Sequence, residues 1–329
     1  MKCQLRKTIN KMEKGISIIL CCYNSESRLP TTLEYLAKQE VKKDISVELI
    51  IVNNASTDRT KEIALSEWEK YHTGFLFRIV DEETPGLMFA RQKGIQESQY
   101  EYVLFCDDDN WLQSDYLQRA FDFMVSNDRI GALAGKGIEV SDIDFPEWFA
   151  DFKTSWAVGE LYDSGNVSKK GWIWGAGMIT RKNILTKALD EKYPFLNKGR
   201  TGNMLTSGDD CEICKRILLL GYELHYEKSL LFYHYLPSNR LTWAYKKRLF
   251  EGIESSNVIL EKYSEVINEL NISGFEKVKD FFKYILLALV SSKRMYITKL
   301  NMKAGLMLKS EKIVKDMEYK SIIKFALRK

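Results

Sequence analysis

Apolar and helical segments take turns along the first hundred residues. Ile16–Cys22 is an apolar run broken only by Ser17, the length of a buried strand, and Arg28–Gln39 spaces its apolar residues as a helix does. The alternation continues with Val47–Val52 as a strand, Asp58–Tyr71 as a helix, Phe75–Val80 as a strand, Met88–Glu97 as a helix and Tyr102–Cys106 as a fourth strand. Strand and helix in turn predict right-handed βαβ crossovers and a mostly parallel sheet flanked by helices, an α/β fold. Ligands of such sheets bind beyond the carboxyl ends of the strands. The polar clusters after strands one, two and four are Tyr23–Glu26, Asn53–Asp58 and Asp107–Asp109, and they are expected to face one cleft. Further on, Gly131 to Tyr235 is richer in glycine and tryptophan and predicts mixed loops and strands, whereas the pattern from Leu241 onward is mostly helical.

Composition narrows the class. With 329 residues, 45% hydrophobic and 29% charged, the chain is neither collagenous, low-complexity nor a disulfide miniature. A net charge of +4 is too small for a protein whose whole surface grips nucleic acid. Cys3, Cys21, Cys22, Cys106, Cys211 and Cys214 lie in apolar runs or charged helical sequence rather than a spaced framework. They read as reduced thiols of a cytoplasmic protein, without disulfides. Residues 1–14 are basic but lack the apolar stretch and cleavage site of a secretory signal, so export by that route is not expected. The longest apolar run, Phe281–Val290, contains Lys283 and is short of the ~20 residues a membrane-spanning helix requires.

Three carboxylates in a row after an apolar strand repel one another unless a cation screens them. Carboxylate oxygens suit Mg²⁺ or Mn²⁺, and Asp107 and Asp109, two apart on extended chain, point the same way while Asp108 points elsewhere. The triplet otherwise reads as a polar loop with Asp109 or Asn110 capping the next helix. Ser207–Glu212 precedes an amphipathic run ended by Gly221. There Asp209 can cap the helix and Asp210 lies in its first turn, where the dipole favours an ionised proton acceptor; the alternative makes both simple capping residues. Cys211 and Cys214 have CxxC spacing but no second pair, and read as helical neighbours. Of His72, His225 and His234, only His234 sits like the triplet, polar at the end of an apolar strand.

Taken in order, Ser17–Asn24, Ile50–Asp58, Ala90–Ile95, Phe105–Asp109, Trp174–Met178, Gly208–Glu212 and His234 followed by Arg240–Trp243 resemble the family 2 glycosyltransferases of the GT-A fold, over roughly residues 14 to 252. The resemblance implies a Rossmann-like mixed, mostly parallel sheet with a helical C-terminal module. It implies inverting transfer of a sugar from a nucleotide-sugar, most often a UDP-sugar, to a hydroxyl in cell-surface polysaccharide or glycolipid assembly. By the same carry-over Mn²⁺ or Mg²⁺ is held by Asp109 with Asp107 and His234, and Asp210 is the general base with Asp209 beside it. Tyr23, Asn54, Arg91, Asp107, Asp108 and Arg240 then surround the nucleotide-sugar, and Trp172, Trp174 and Gly175 the sugar; core packing is the alternative for the tryptophans. Asn53 and Asn54 depart from two aspartates of the commoner pattern, which leaves the base open, and Asp209 stands where relatives often carry glutamate.

The expected organisation is an extension (1–14), a nucleotide-sugar half (15–130), an acceptor half (131–252) and a basic helical module (253–329). Residues 275–329 carry a net charge of +9, leaving −5 for the rest. Basic residues bordering an apolar helical face suit either an interfacial helix on the inner face of an anionic membrane, near a lipid-linked saccharide acceptor, or a helical hairpin packed on the body. The rival readings are a nucleotidyltransferase, which lacks its glycine-rich phosphate loop here, and an inactive sugar- or lipid-binding relative.

Overall fold

The computed structural model describes residues 13–197, 208–271 and 317–328. Four parallel strands, β1 (Gly15–Cys22), β2 (Ser46–Asn54), β3 (Leu76–Glu82) and β4 (Tyr102–Asp107), are linked by helices α1 (Leu29–Ala37), α2 (Thr60–Trp68) and α3 (Leu87–Glu97). The expected strands and helices of this half are all present, within two or three residues at their ends. Their continuous apolar runs are explained by burial on both faces. Ile16, Ile18 and Leu20 pack with α1 and α2, whereas Ile19, Ile50 and Phe105 pack with α3.

The second half adds β5 (Asn110–Leu112), α4 (Tyr116–Ser126), β6 (Ile130–Val140), α5 (Phe149–Phe152), β7 (Gly165–Asn166), β8 (Ile179–Arg181), α6 (Lys182–Ala188), α7 (Asp209–Leu219) and β9 (Glu223–Tyr235). The sheet runs β3-β2-β1-β4-β8-β6-β9-β5, with β7 on the flank of β9. β8 is antiparallel to β4 and β6, β6 and β9 run parallel, and β5 closes the edge antiparallel to β9. The sheet is therefore mixed, mostly parallel and covered by helices on both faces. The carboxyl ends of β1, β2 and β4 are thereby brought beside the end of β9.

α8 (Trp243–Asn271) runs unbroken through Gly252, where the sequence suggests a boundary. α9 (Met317–Ala326) packs on it through Tyr319, Ile322, Ile323 and Phe325, joined by a 2.5 Å ion pair between Lys262 and Glu318. The apolar run Phe281–Val290 and most of the basic tail lie outside the described residues. Among the described residues no helix is long and apolar enough to cross a membrane.

Candidate active site

β4 carries the chain to Asp107 and ends there, and the three carboxylates part company. Asp108 is drawn under α1, where its carboxylate accepts from Ser25 Oγ and, at 2.6 Å, from Arg28, while Thr32 Oγ1 donates to its carbonyl at 2.7 Å. Burial first, and the charge of Asp109 second, raise its pKa. Asp109 is 3% exposed and lies between Arg240 and His234: Arg240 Nη1 is 2.7 Å from Oδ2, and His234 Nε2 is 3.5 Å from Oδ1. Burial alone would raise the Asp109 carboxyl, but Arg240 and then His234 overcome it and hold the group well below the carboxylate range. Neither Asp109 nor Asn110 caps a helix, contrary to the capping alternative. Asn110 opens β5 and pairs with His234 across the antiparallel ladder, and Tyr235 N–H donates to the Asp109 carbonyl at 2.9 Å. Ladder register thus places His234 beside Asp109.

The second acidic pair departs from expectation at one residue. The N-cap of α7 is Gly208, at φ +106°, and Asp209 is already helical, so it does not cap the helix. Its carboxylate crosses instead to Arg91 of α3, at 2.6 Å, with both side chains almost wholly buried. The Arg91 guanidinium also lies over the Phe105 ring at 4.9 Å. That pair ties Arg91 to Asp209 at the cavity wall. Asp210, partly exposed, accepts the Gly175 N–H on Oδ2 at 2.9 Å and the Cys211 N–H on Oδ1 at 2.8 Å. Burial, then the neighbouring Asp209 charge, raise the Asp210 carboxyl; Arg91 and the two amides pull the other way.

Asn54 is buried and its carboxamide is engaged: Nδ2 donates to the carbonyls of Glu82 and Thr84, and Oδ1 accepts the Gly86 N–H. It staples the β3–α3 loop with both amide hydrogens, while Oδ1 keeps a second lone pair at the cavity wall. Tyr23 is 53% exposed at the rim. Trp174 is 4% exposed and meets Tyr226 edge-on, so little of its ring is open, whereas Trp172 is half-buried. Cys21 and Cys211 also line the site, but burial pushes the Cys21 thiol up to about 12 and Cys211 well above its ordinary value. Neither is a thiolate nucleophile at neutral pH. The five described cysteines are free thiols.

All these groups border one cavity of about 910 Å³, with Asp107, Asp109 and His234 at its wall together with Asp210, Gly175 and Trp172. Two family models match the chain: "Glycosyl transferase family 2" over residues 17–167 and "Glycosyl transferase family group 2" over residues 102–292. The chain belongs to the family 2 glycosyltransferases. This glycosyltransferase is 24% identical over 276 residues to EpsH of Bacillus subtilis (strain 168), covering 82% of this chain and 74% of EpsH. It is 33% identical over 132 residues to the poly-β-1,6-N-acetyl-D-glucosamine synthase of Staphylococcus epidermidis, covering 40% of this chain but only 30% of that synthase. Among solved structures it is similar to S. aureus TarS 1–349 in complex with UDP-GlcNAc, at TM-score 0.54 and 18% identity over 95% of this chain and 89% of that one. The shared fold is GT-A, as the motifs imply, and family membership displaces the nucleotidyltransferase reading.

Several residues of this glycosyltransferase's site escape a reading by sequence. Arg28 lines the cavity from the start of α1, and α8 contributes a whole face, including Leu249, Ile253 and Ser264. Behind α7, Glu212 accepts the amides of Leu196 and Asn197 and the Tyr263 hydroxyl, and pairs with Arg216 at 2.8 Å. Arg216 is itself packed over Phe195 and Phe325. In an amphipathic helix such charges read as solvated, and only the packing of α8 and α9 shows otherwise.

Proposed function

We propose that this glycosyltransferase transfers a sugar from a UDP-sugar to a hydroxyl of a saccharide acceptor with inversion, with Asp210 as general base. The observation that carries the reading is the position of Asp210. It shares the cavity with Asp107, Asp109 and His234 yet touches none of the cations that neutralise Asp108 and Asp109. Two backbone amides fix its carboxylate, and each oxygen keeps a lone pair for an incoming hydroxyl. A single displacement by that hydroxyl needs no covalent nucleophile, which agrees with the raised thiols around it.

The donor set at the other wall suits a divalent ion. Asp109 Oδ1 and His234 Nε2 lie 3.5 Å apart, close enough to share one, and among the described residues no group of three or more such ligands occurs. Mg²⁺ and Mn²⁺ accept this, taking one or two side chains and filling the remaining positions with diphosphate oxygens and water. When bound, such an ion supplies charge compensation for a departing diphosphate. Asp109 and His234 would hold it, with Asp107 towards the ribose, and Arg28 and Arg240 would add positive charge beside it. Tyr23 offers an exposed ring for the base, and Asn54 positions the β3–α3 loop while its Oδ1 keeps a lone pair that can accept from the base. Trp172 offers a face for a sugar ring.

The choice of a UDP-sugar rests on the TarS complex with UDP-GlcNAc, and assembly of a surface polysaccharide on the Staphylococcus epidermidis synthase. A thermal-shift panel of nucleotide-sugars with and without Mn²⁺ tests it, because a ligand of the folded state raises the melting temperature according to its affinity. UDP-sugars should shift it most, and more with Mn²⁺. Purine nucleotide-sugars shifting it further would overturn the donor assignment.

A further inference from the structure

Four Arg or Lys side chains are buried among the described residues: Arg91, Arg181, Lys215 and Arg216. Three have a carboxylate: Arg91 with Asp209, Arg181 with Glu101 and Arg216 with Glu212. Lys215 has none. It is 8% exposed, and one of its three ammonium hydrogens goes to Ser264 Oγ at 2.8 Å. Desolvation lowers its pKa, and the neighbouring Cys211 and Cys214 oppose that shift. A buried cation without a counter-charge is costly, and this one lines the cavity wall.

We propose that Lys215 forms a subsite for a phosphate or phosphodiester group of the acceptor, at the end of the cavity where α7 meets α8. The proposal rests on the sugar-transfer reading of that cavity and adds the acceptor's charge class. Lys215 lies on α7 one turn beyond Cys211, so it shares a helix face with the residue next to Asp210. The diphosphate end already has Arg28 and Arg240, both committed to the aspartate triplet. Lys215 stands apart from them on the α8 side, where Ser264 of that helix accepts from it and also lines the cavity. Space is reserved for its head group: a Cβ on Gly171 would lie 2.3 Å from Lys215 Nζ, and Gly171 precedes Trp172. Glu261 lines this end too, but it is exposed, and the charge withdrawn from water is that of Lys215. A compact ammonium with three donors binds a phosphate as a point charge.

Calorimetry on the full chain tests this in two stages. UDP with Mn²⁺ is titrated first; failure of UDP to bind rejects the donor reading of the cavity and leaves the acceptor question separate. The UDP-loaded protein is then titrated with a glycerol phosphate trimer, with farnesyl pyrophosphate in micelles and with glycerol as the neutral control. At least one phosphate probe should bind ten-fold or more tighter than glycerol. The trimer alone binding assigns the group to a phosphodiester polymer, and the prenyl probe alone to a lipid carrier. Lys215→Met should weaken that binding at least ten-fold while UDP affinity and melting temperature hold, with Lys215→Gln as the second variant should the first not fold. Phosphate probes binding no better than glycerol to the wild-type protein, or equally well to a folded Lys215 variant, overturn the proposal.

Discussion

Arg91 and Asp209, 118 positions apart in sequence, form a buried ion pair of 2.6 Å that joins α3 to the first turn of α7. The pair sits directly behind Asp210 and bears on it twice, through the charge of Asp209 and through that of Arg91. It makes the neighbourhood of the proposed base stiff as well as charged.

The pH profile should show that charge. A carboxyl accepts a proton only above its pKa, and Asp210 is raised above the ordinary aspartate value of 3.8 by burial and then by Asp209. Turnover should therefore fall on the acid side at a higher pH than an ordinary aspartate would give. Asp209→Asn deletes the raising charge and keeps the lowering charge of Arg91, so the acid limb of kcat against pH should move to lower pH. The same change leaves a buried guanidinium unpaired and should cost about 3–5 kcal/mol of stability, read by urea unfolding. An acid limb that stays in place removes Asp209 from control of the base.

Asp210→Asn keeps the shape of the side chain and removes its basicity. Transfer should drop by about 10²- to 10⁴-fold, the range of a lost general base, with UDP affinity unchanged by calorimetry. Near-normal turnover would falsify the base assignment.

Gly175→Ala places a methyl group 2.9 Å from Arg91 Nη2 and 3.0 Å from the Asp210 Cβ. Arg91 is pinned by Asp209 and cannot give way, so the Asp210 carboxylate must shift. Misplacement of that order should lower kcat about 10²-fold, and steady-state kinetics with UDP binding as the control reads it. Full kcat in the alanine variant would show that the Asp210 position is not critical.

His234→Ala leaves Asp109 paired with Arg240 but takes away the imidazole 3.5 Å from its other oxygen. The Mn²⁺-dependent part of UDP binding should weaken by at least ten-fold, a factor of ten being about 1.4 kcal/mol. Calorimetry with Mn²⁺ and with EDTA separates that part, and identical metal dependence in the variant and the wild type would exclude His234 as a ligand.

How much of this could be read from the sequence differs by region. β1, β2 and β4 announce themselves because both of their faces are buried, so that Ile16, Ile18, Ile19 and Leu20 are all apolar with no alternation to decode. β9 is harder. His225, Glu227, Lys228 and Ser229 interrupt it with polar residues, and only its apolar second half was evident. The acidic clusters were visible as clusters, since like charges crowd together for a reason. Their individual partners were not: Asp209 as a cap is a sensible local reading overruled by Arg91, a neighbour far away in sequence, and the bonds from Asn54 to the β3–α3 loop are hidden in the same way. Lys215 left no trace, because a lysine in an amphipathic helix ordinarily faces water.

The antiparallel ladder that sets Asn110 opposite His234 has a consequence for how this scaffold can diversify. Three residues of β5 are enough to dock the end of the aspartate run against the close of β9, whatever the length of the chain between them. Segments spliced into that interval could enlarge or replace the surface that receives the acceptor without moving the diphosphate end. New linkage chemistries could thus be tried on an unchanged donor platform.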